Sequence, residues 1–367
     1  MLRPAEPIVN HQRLEELALL NGFADRKLLV KICDDLRSGA NIGCTGPFRQ
    51  GSHSTNASSS LEYGEQVSDA IGDWIVKGYA YGPVDRAELP ANAKVNGIMC
   101  RPKPNGAVRI ILNLSAPIGS SVNEGIDEKE FPAVMSSTTK WLRVLTKAGR
   151  DCQFCKVDWS DAYKHVTVRL EDLDLQWFQW LGKYFCELCL IFGSKSSVGL
   201  YDRLAKLVLF IVCRESGMPL SMVCQHLDDC VAASSKDSHL LEGFDTTFSR
   251  VAHELGIRLA PRDNAEKTFG PSTAGVVFGV HYDSVSWTWA IPNEKLSRLL
   301  HMIQSALRSR MITQGDLMSL SGKITNVRPL VPQGKFHVDH ILMWAAHSDD
   351  KSAVIRIGDP LFSQLEF

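Results

Sequence analysis

Apolar positions recur at helical spacing through residues 9 to 38, where Leu14, Leu17, Leu28, Leu29, Ile32 and Leu36 form a stripe interrupted at Gly22. The polar run Gly51 to Ser60 reads as a flexible surface loop. Glu65 to Lys77 is an amphipathic helix with Val67, Ile71, Trp74 and Ile75 on one side, and Gly78 through Pro83 stops it. The period then shortens. Gly97 to Pro102 and Ala107 to Leu112 flank Pro104-Asn105-Gly106, and an Asn-Gly between apolar runs predicts a β-hairpin. Helical spacing resumes over Pro132 to Lys147, and a short strand follows at Cys152 to Asp158. Trp177 to Ile191 is expected to be a hairpin around Leu181-Gly182, and Ser196 to Glu215 a long helix. Met222 to Ala233 reads as a strand pair with an acidic apex, and Leu240 to Leu255 as a helix. Val276 to Val280 and Ser286 to Ile291 are expected strands, followed by helices near Asn293 to Arg310 and Gln314 to Thr325. Strand pairs and helices come in runs, not strict alternation, which predicts an α+β fold.

Composition narrows this only at the edges. With 367 residues, 44% hydrophobic and 22% charged, the chain is an ordinary globular one, and a net charge of -1 excludes nothing. Ten scattered cysteines and no apolar core behind Met1 point to an intracellular protein, cytoplasmic or nuclear and not secreted. The most apolar stretch, Leu204 to Cys213, is about half of what a membrane helix requires, so no membrane partner is expected. Nothing in the pattern speaks to oligomeric state.

The chemistry gathers in two acidic clusters. Lys156-Val157-Asp158-Trp159-Ser160-Asp161-Ala162-Tyr163 lies at the exit of the short strand, and Gln225-His226-Leu227-Asp228-Asp229-Cys230 sits between apolar flanks. An Asp-Asp pair alone is most often a solvated turn. Beside buried strands, adjacent carboxylates repel each other and lose solvation, which requires cations in compensation. Mg²⁺ suits such oxygens while keeping waters for substrate phosphates, and two ions about 4 Å apart activate a hydroxyl and stabilise a leaving group.

The first cluster resembles the catalytic motif of reverse transcriptases in which an Asp precedes Asp-Ala-Tyr. The second resembles their Tyr-x-Asp-Asp motif, with His226 in place of Tyr. Ile42-Gly43, Gly46-Pro47, Gly82-Pro83, Arg101-Pro102-Lys103, Arg109 through Pro117 and Ser121-Val122-Asn123 follow the order of retrotransposon polymerases, with the flavour of the DIRS group. The resemblance implies a right-hand polymerase with an antiparallel palm sheet. Its divisions would be an N-terminal helical extension and loop (1-64), fingers (65-131) and a palm (132-290) carrying an inserted finger hairpin near 165-191. A thumb (291-345) and the start of a connection to a downstream domain (346-367) would follow.

It also implies the roles. Asp158, Asp228 and Asp229 hold two Mg²⁺, with Mn²⁺ as a substitute, and Lys267 protonates the leaving pyrophosphate. Lys103 and Arg109 grip the triphosphate, and Trp159, Asp161, Ala162, Tyr163 and Gly193 surround the deoxynucleoside triphosphate, with Tyr163 excluding a 2′-hydroxyl. Ser194, His226, the Phe278-Gly279 turn and Lys323 contact an RNA or DNA template with its primer. Lysine and arginine outnumber acids seven to one between Lys295 and Lys335, which fits a phosphate backbone but equally a solvated helix face. A polymerase-derived remnant that only binds nucleic acid, and a metal-dependent nuclease, are the competing readings. Cys152-x-x-Cys155 and Cys186-x-x-Cys189 imitate a zinc site, but residues i and i+3 of a strand face opposite sides, so buried thiols are expected. His337-Val338-Asp339-His340 is expected to be incidental.

Overall fold

A computed structural model of the chain describes residues 5–46, 53–103, 106–331, 335–346, 352–358, 361, 364 and 365. Helices α1 (His11–Leu20), α2 (Arg26–Ser38), α3 (Ser58–Glu62) and α4 (Gly64–Val76) precede strand β1 (Ala80–Val84) and the hairpin β2 (Val95–Pro102) and β3 (Val108–Asn113). Next come α5 (Thr138–Ala148), β4 (Gln153–Asp158), β5 (Trp177–Trp180), β6 (Lys183–Glu187), α6 (Ser197–Ser216), β7 (Val223–His226), β8 (Asp229–Ser234) and α7 (Leu240–Leu255). Short strands β9 (Phe269–Ser272), β10 (Ala274–Val277), β11 (Val280–Asp283) and β12 (Thr288–Ala290) lead into α8 (Asn293–Ser309), β13 (Met311–Thr313), α9 (Gln314–Val327), α10 (Lys335–Ala345) and β14 (Val354–Arg356).

Two larger sheets, with a three-stranded one ordered β10-β11-β12, organise the first 290 residues. One is antiparallel, ordered β7-β8-β4-β9, so β4 and β8 are its interior strands. Both faces of β4 are buried because α5, α6 and α7 pack around this sheet, and Trp141, Phe154, Phe244 and Phe248 are fully buried among the apolar residues there. Each such side chain contributes roughly 1.5–3 kcal/mol of burial. The second sheet, β1-β6-β5-β2-β3, contains the hairpin β5–β6, whose Leu181 and Gly182 both have positive φ as a primed two-residue turn demands. A separate apolar cluster holds Ala306, Leu317, Leu320, Ile341 and Ile357 together, around α8, α9, α10 and the β13–β14 pair. All ten cysteines carry free thiols, and nine are buried. Cys155 lies on β4 and Cys186 on β6, in different sheets, so the two Cys-x-x-Cys pairs belong to separate layers. No described helix is long and apolar enough to cross a membrane.

Three expectations need correction. The polar run expected to be a flexible loop is fastened along β2: Ser54 and Ala57 donate backbone hydrogen bonds to Val95 and Ile98, and Asn56 bridges Ile98 to Gln179. Ser58–Glu62 is helical (Gly51 and Ser52 lie outside the described residues), and the Asn56 and Ser59 side chains satisfy strand backbone while His53, Thr55 and Ser58 stay exposed. The helix expected over Pro132 to Lys147 begins only at Thr138, because Ser137 caps it and Ser136 is engaged instead with Gln225. The single strand expected over Val276 to Val280 is the turn of a hairpin, with Val277 paired to Val280. Pro104 and Asn105, expected to make the β2–β3 turn, lie outside the described residues.

Candidate active site

The register of the interior strands sets the acidic groups side by side. Asp158 ends β4 and is the cross-strand partner of Asp229, the first residue of β8. Between β7 and β8 only Leu227 and Asp228 turn the chain, with Leu227 at φ 53°, and the Trp159 N–H reaches the Asp228 carbonyl at 3.2 Å. Sequence distance is thereby erased by one ladder of backbone hydrogen bonds.

The carboxylates are poorly solvated. Burial first, and then the neighbouring acid in each case, raises the pKa of Asp158 and of Asp228, although Lys267 opposes the shift at both. Lys267 Nζ donates to Asp158 Oδ1 at 2.9 Å. Burial works to lower the Lys267 ammonium, but Asp158, with Asp228 and Asp229 behind it, outweighs burial and holds it above the usual lysine value. Lys156, buried on β4, places Nζ 3.0 Å from Asp229 Oδ1, yet off the hydrogen-bonding direction, so that buried oxygen accepts no hydrogen bond. Ammonium groups therefore stand against two of the three acids. Among the described residues no group of three or more His, Cys, Asp or Glu side chains is arranged to hold a metal ion, these three included. The donor set is nonetheless hard carboxylate oxygen, short of compensating charge, which is the kind of site Mg²⁺ takes.

Beside the acids lies a cavity of about 530 Å³, walled by the β2–β3 hairpin, α4 and the segment after β4. Lys103, Arg109, Asp161, Tyr163, Asp228 and Lys267 all line it, as do Trp159 and Ala162. Asp161 adopts the left-handed conformation (φ 51°, ψ 45°), which turns the chain into a 3₁₀ segment, Ala162–His165, and lays Tyr163 against the acids. The Tyr163 ring packs 4.8 Å from Phe192 and 5.8 Å from Tyr201, and burial, then Asp228, pushes its hydroxyl up to about 12. The Arg109 guanidinium lies over Phe192 at 4.7 Å, which holds it at the cavity wall. Desolvation by the surrounding wall, and then Arg109, lowers the Lys103 pKa.

Other expected site residues do not line this cavity. Gly193 passes beneath the hairpin so closely that a Cβ there would sit 2.0 Å from the Leu112 carbonyl. Ser194 is buried and shares a hydrogen bond with Ser196. His226 Nδ1–H donates to the Ser136 carbonyl at 2.8 Å, and its ring meets Phe278 at 5.4 Å. Phe278 and Gly279 form the positive-φ turn joining β10 to β11. Lys323 is exposed on α9, within the second apolar unit. Reading the sequence missed Lys156, whose signal was a cation inside an apolar strand run. It also missed the α4 side of the cavity, Gln66, Asp69 and Asp73, and the buried Lys164–Glu187 ion pair at 2.6 Å.

No protein-family model matches the chain, and no curated protein matches it. Solved structures do. The foamy viral protease-reverse transcriptase in complex with an RNA/DNA hybrid is similar at a TM-score of 0.61 and 14% identity, over 100% of this chain and 46% of that one. The same enzyme's dRH form with double-stranded DNA gives a TM-score of 0.60 at 15% identity, over 100% and 61%. A further complex with double-stranded DNA gives 0.59 at 14% identity, over 100% and 71%. The chain thus spans between 46% and 71% of the length of these chains, and what it shares with them is the reverse-transcriptase fold.

Proposed function

We propose that this chain is the polymerase portion of a reverse transcriptase of retrotransposon type, with motifs in the order of the DIRS group. It would extend a primer 3′-hydroxyl with deoxynucleoside triphosphates on an RNA or DNA template. One observation carries the reading: a single cavity gathers Asp228, the aromatic floor Tyr163 and the cations Lys103, Arg109 and Lys267, next to Asp158. A nuclease needs the acids but leaves the aromatic floor and the hairpin cations without work.

In this reading the β7-β8-β4-β9 sheet is the palm. The β5–β6 hairpin is the finger insertion, since it joins β1, β2 and β3 in the other sheet, and residues 291-345, with α8 to α10, are the thumb. Asp158 and Asp228 would hold the divalent ions with Asp229 in support, and those ions would supply activation of the 3′-hydroxyl and charge neutralisation of the departing pyrophosphate. Arg109 offers a planar fork to triphosphate oxygens and Lys103 a point charge beside it. Tyr163 presents a ring edge where a sugar 2′-hydroxyl would collide. Lys267, released from Asp158, lies within the same cavity as a proton donor for the leaving group. Phe278 and His226 would flank the primer end.

The test is primer extension by the full chain on RNA and on DNA templates with Mg²⁺ or Mn²⁺. Template-dependent product that disappears in Asp228→Asn supports the reading. Retained primer–template binding without product in either metal replaces it by the nucleic-acid-binding remnant, and cleavage without triphosphates replaces it by the nuclease.

A further inference from the structure

Lys156 is out of place by every local rule. It sits in an interior strand, where lysine is disfavoured, and is only 6% exposed, where an ammonium is costly unless paired. The register explains where it points. Lys156 is opposite Val231 and Asp158 is opposite Asp229, so Lys156 and Asp229 are diagonal neighbours on one face, a separation that a long side chain spans. Its Nζ lies 3.0 Å from Asp229 Oδ1 and donates to the Glu266 carbonyl at 3.0 Å. Glu266 immediately precedes Lys267, and the next residue, Thr268, accepts a hydrogen bond from the Asp158 N–H at 3.3 Å. One buried ammonium thus ties the third acid to the segment that carries Lys267.

The two lysines differ in a way that assigns them different tasks. The Lys267 side chain is half exposed and reaches its acid from the cavity, so an incoming cation can displace it. The Lys156 side chain is 7% exposed and is anchored at both an acid and a carbonyl, so displacing it would strand a charge in the interior.

Resting on the polymerase reading above, we propose that Lys156 is a positioning residue, a resident cation that claims Asp229 and leaves Asp158 and Asp228 as the acids that take the divalent ion. It reduces the local charge of the trio by one and fixes the segment from which Lys267 works. Removing it frees a third carboxylate for the metal while loosening the geometry needed for transfer.

The experiment is Mn²⁺ binding to the full chain, without nucleotides or primer, read by the paramagnetic signal of free Mn²⁺, with primer extension measured alongside. K156M is expected to bind Mn²⁺ about tenfold more tightly, because a positive charge beside the site is gone, while extension at saturating Mn²⁺ falls at least about tenfold. K156R returns the affinity to that of the wild type. K156M/D229N, which buries no unpaired carboxylate and so keeps the inference testable if K156M fails to fold, is expected to bind within about threefold of wild type. Unchanged or weaker binding in K156M overturns the inference, as does an affinity loss beyond about tenfold in K156M/D229N, which would make Asp229 a metal ligand already in the wild type. A wild-type chain that binds no Mn²⁺ removes the metal part of the polymerase reading, and this inference with it.

Discussion

Single residues carry opposed costs and uses at this site. Asp228 is a destabilising group by design, since burial and then the Asp158 charge both raise its pKa. Asp228→Asn is expected to lower primer extension by about a thousandfold, the equivalent of several kcal/mol of lost charge stabilisation. The same change should raise the melting temperature in chelator, because one repelling charge is gone; a fall in both would show a folding defect instead. Tyr163→Ala should let ribonucleotides in, measured as the ratio of ribonucleotide to deoxynucleotide incorporation, and should cost about 3–5 kcal/mol of stability through lost contact with Phe192 and Tyr201. His165 gives a pH dependence. Burial, then Arg258, lowers its pKa to about 4, while its ring is held between the Ala162 carbonyl and the Arg258 N–H. Between its unfolded value near 6.5 and 4 the unfolded chain binds more protons than the folded one, so stability falls as pH falls through that window, by on the order of 3 kcal/mol in all. Asp35, raised to about 6 by burial, acts in the opposite sense. Comparing denaturation midpoints of wild type and His165→Gln from pH 7 to 4 therefore isolates the histidine: the variant should show the flatter acid limb.

Elements show where a sequence speaks and where it is silent. The β5–β6 hairpin was legible because Leu181-Gly182 breaks two apolar runs at the only spacing a two-residue primed turn permits. Leu181 itself is the weak point: it is 77% exposed and held at φ 45°, a conformation that asparagine tolerates better. Leu181→Asn should stabilise the chain by about 0.5–1 kcal/mol in chemical denaturation. The acidic strand ends were legible for a different reason, as residue types in a familiar order. The fastening of Ser54 to Ser60 along β2 was illegible because a serine-rich segment looks the same whether its hydroxyls face water or strand backbone. Lys156 was passed over because a cation in an apolar run is read as a strand edge until its diagonal partner is known. The late start of α5 came from a cap, Ser137, embedded in a run of serines and threonines that all could have served.

At the scale of the whole molecule, pairing between distant segments could not be read from local pattern; only the resemblance brought Asp158 to Asp228 and Asp229. β2 runs parallel to β5 although about eighty residues separate Val95 from Trp177, and β4 gains β9 as a neighbour through Phe154 and Ser272. No local pattern distinguishes these partners from others of equal hydrophobicity. The separation into two apolar clusters also emerges only in three dimensions. Leu320 is fully buried in the second cluster, so Leu320→Ala should cost about 2–5 kcal/mol there. Differential scanning calorimetry should show a C-terminal transition moving down while Mn²⁺ affinity at the acids is unchanged; a shift of the whole endotherm would mean the clusters melt as one. The thiols offer a second view of the same division. Every cysteine lies between residues 33 and 230, and none falls in the α8–α10 unit. A pulse of alkylating reagent during unfolding is therefore a stopwatch for the larger cluster alone: peptides modified early mark its loosest seam, and the C-terminal helices run off the clock.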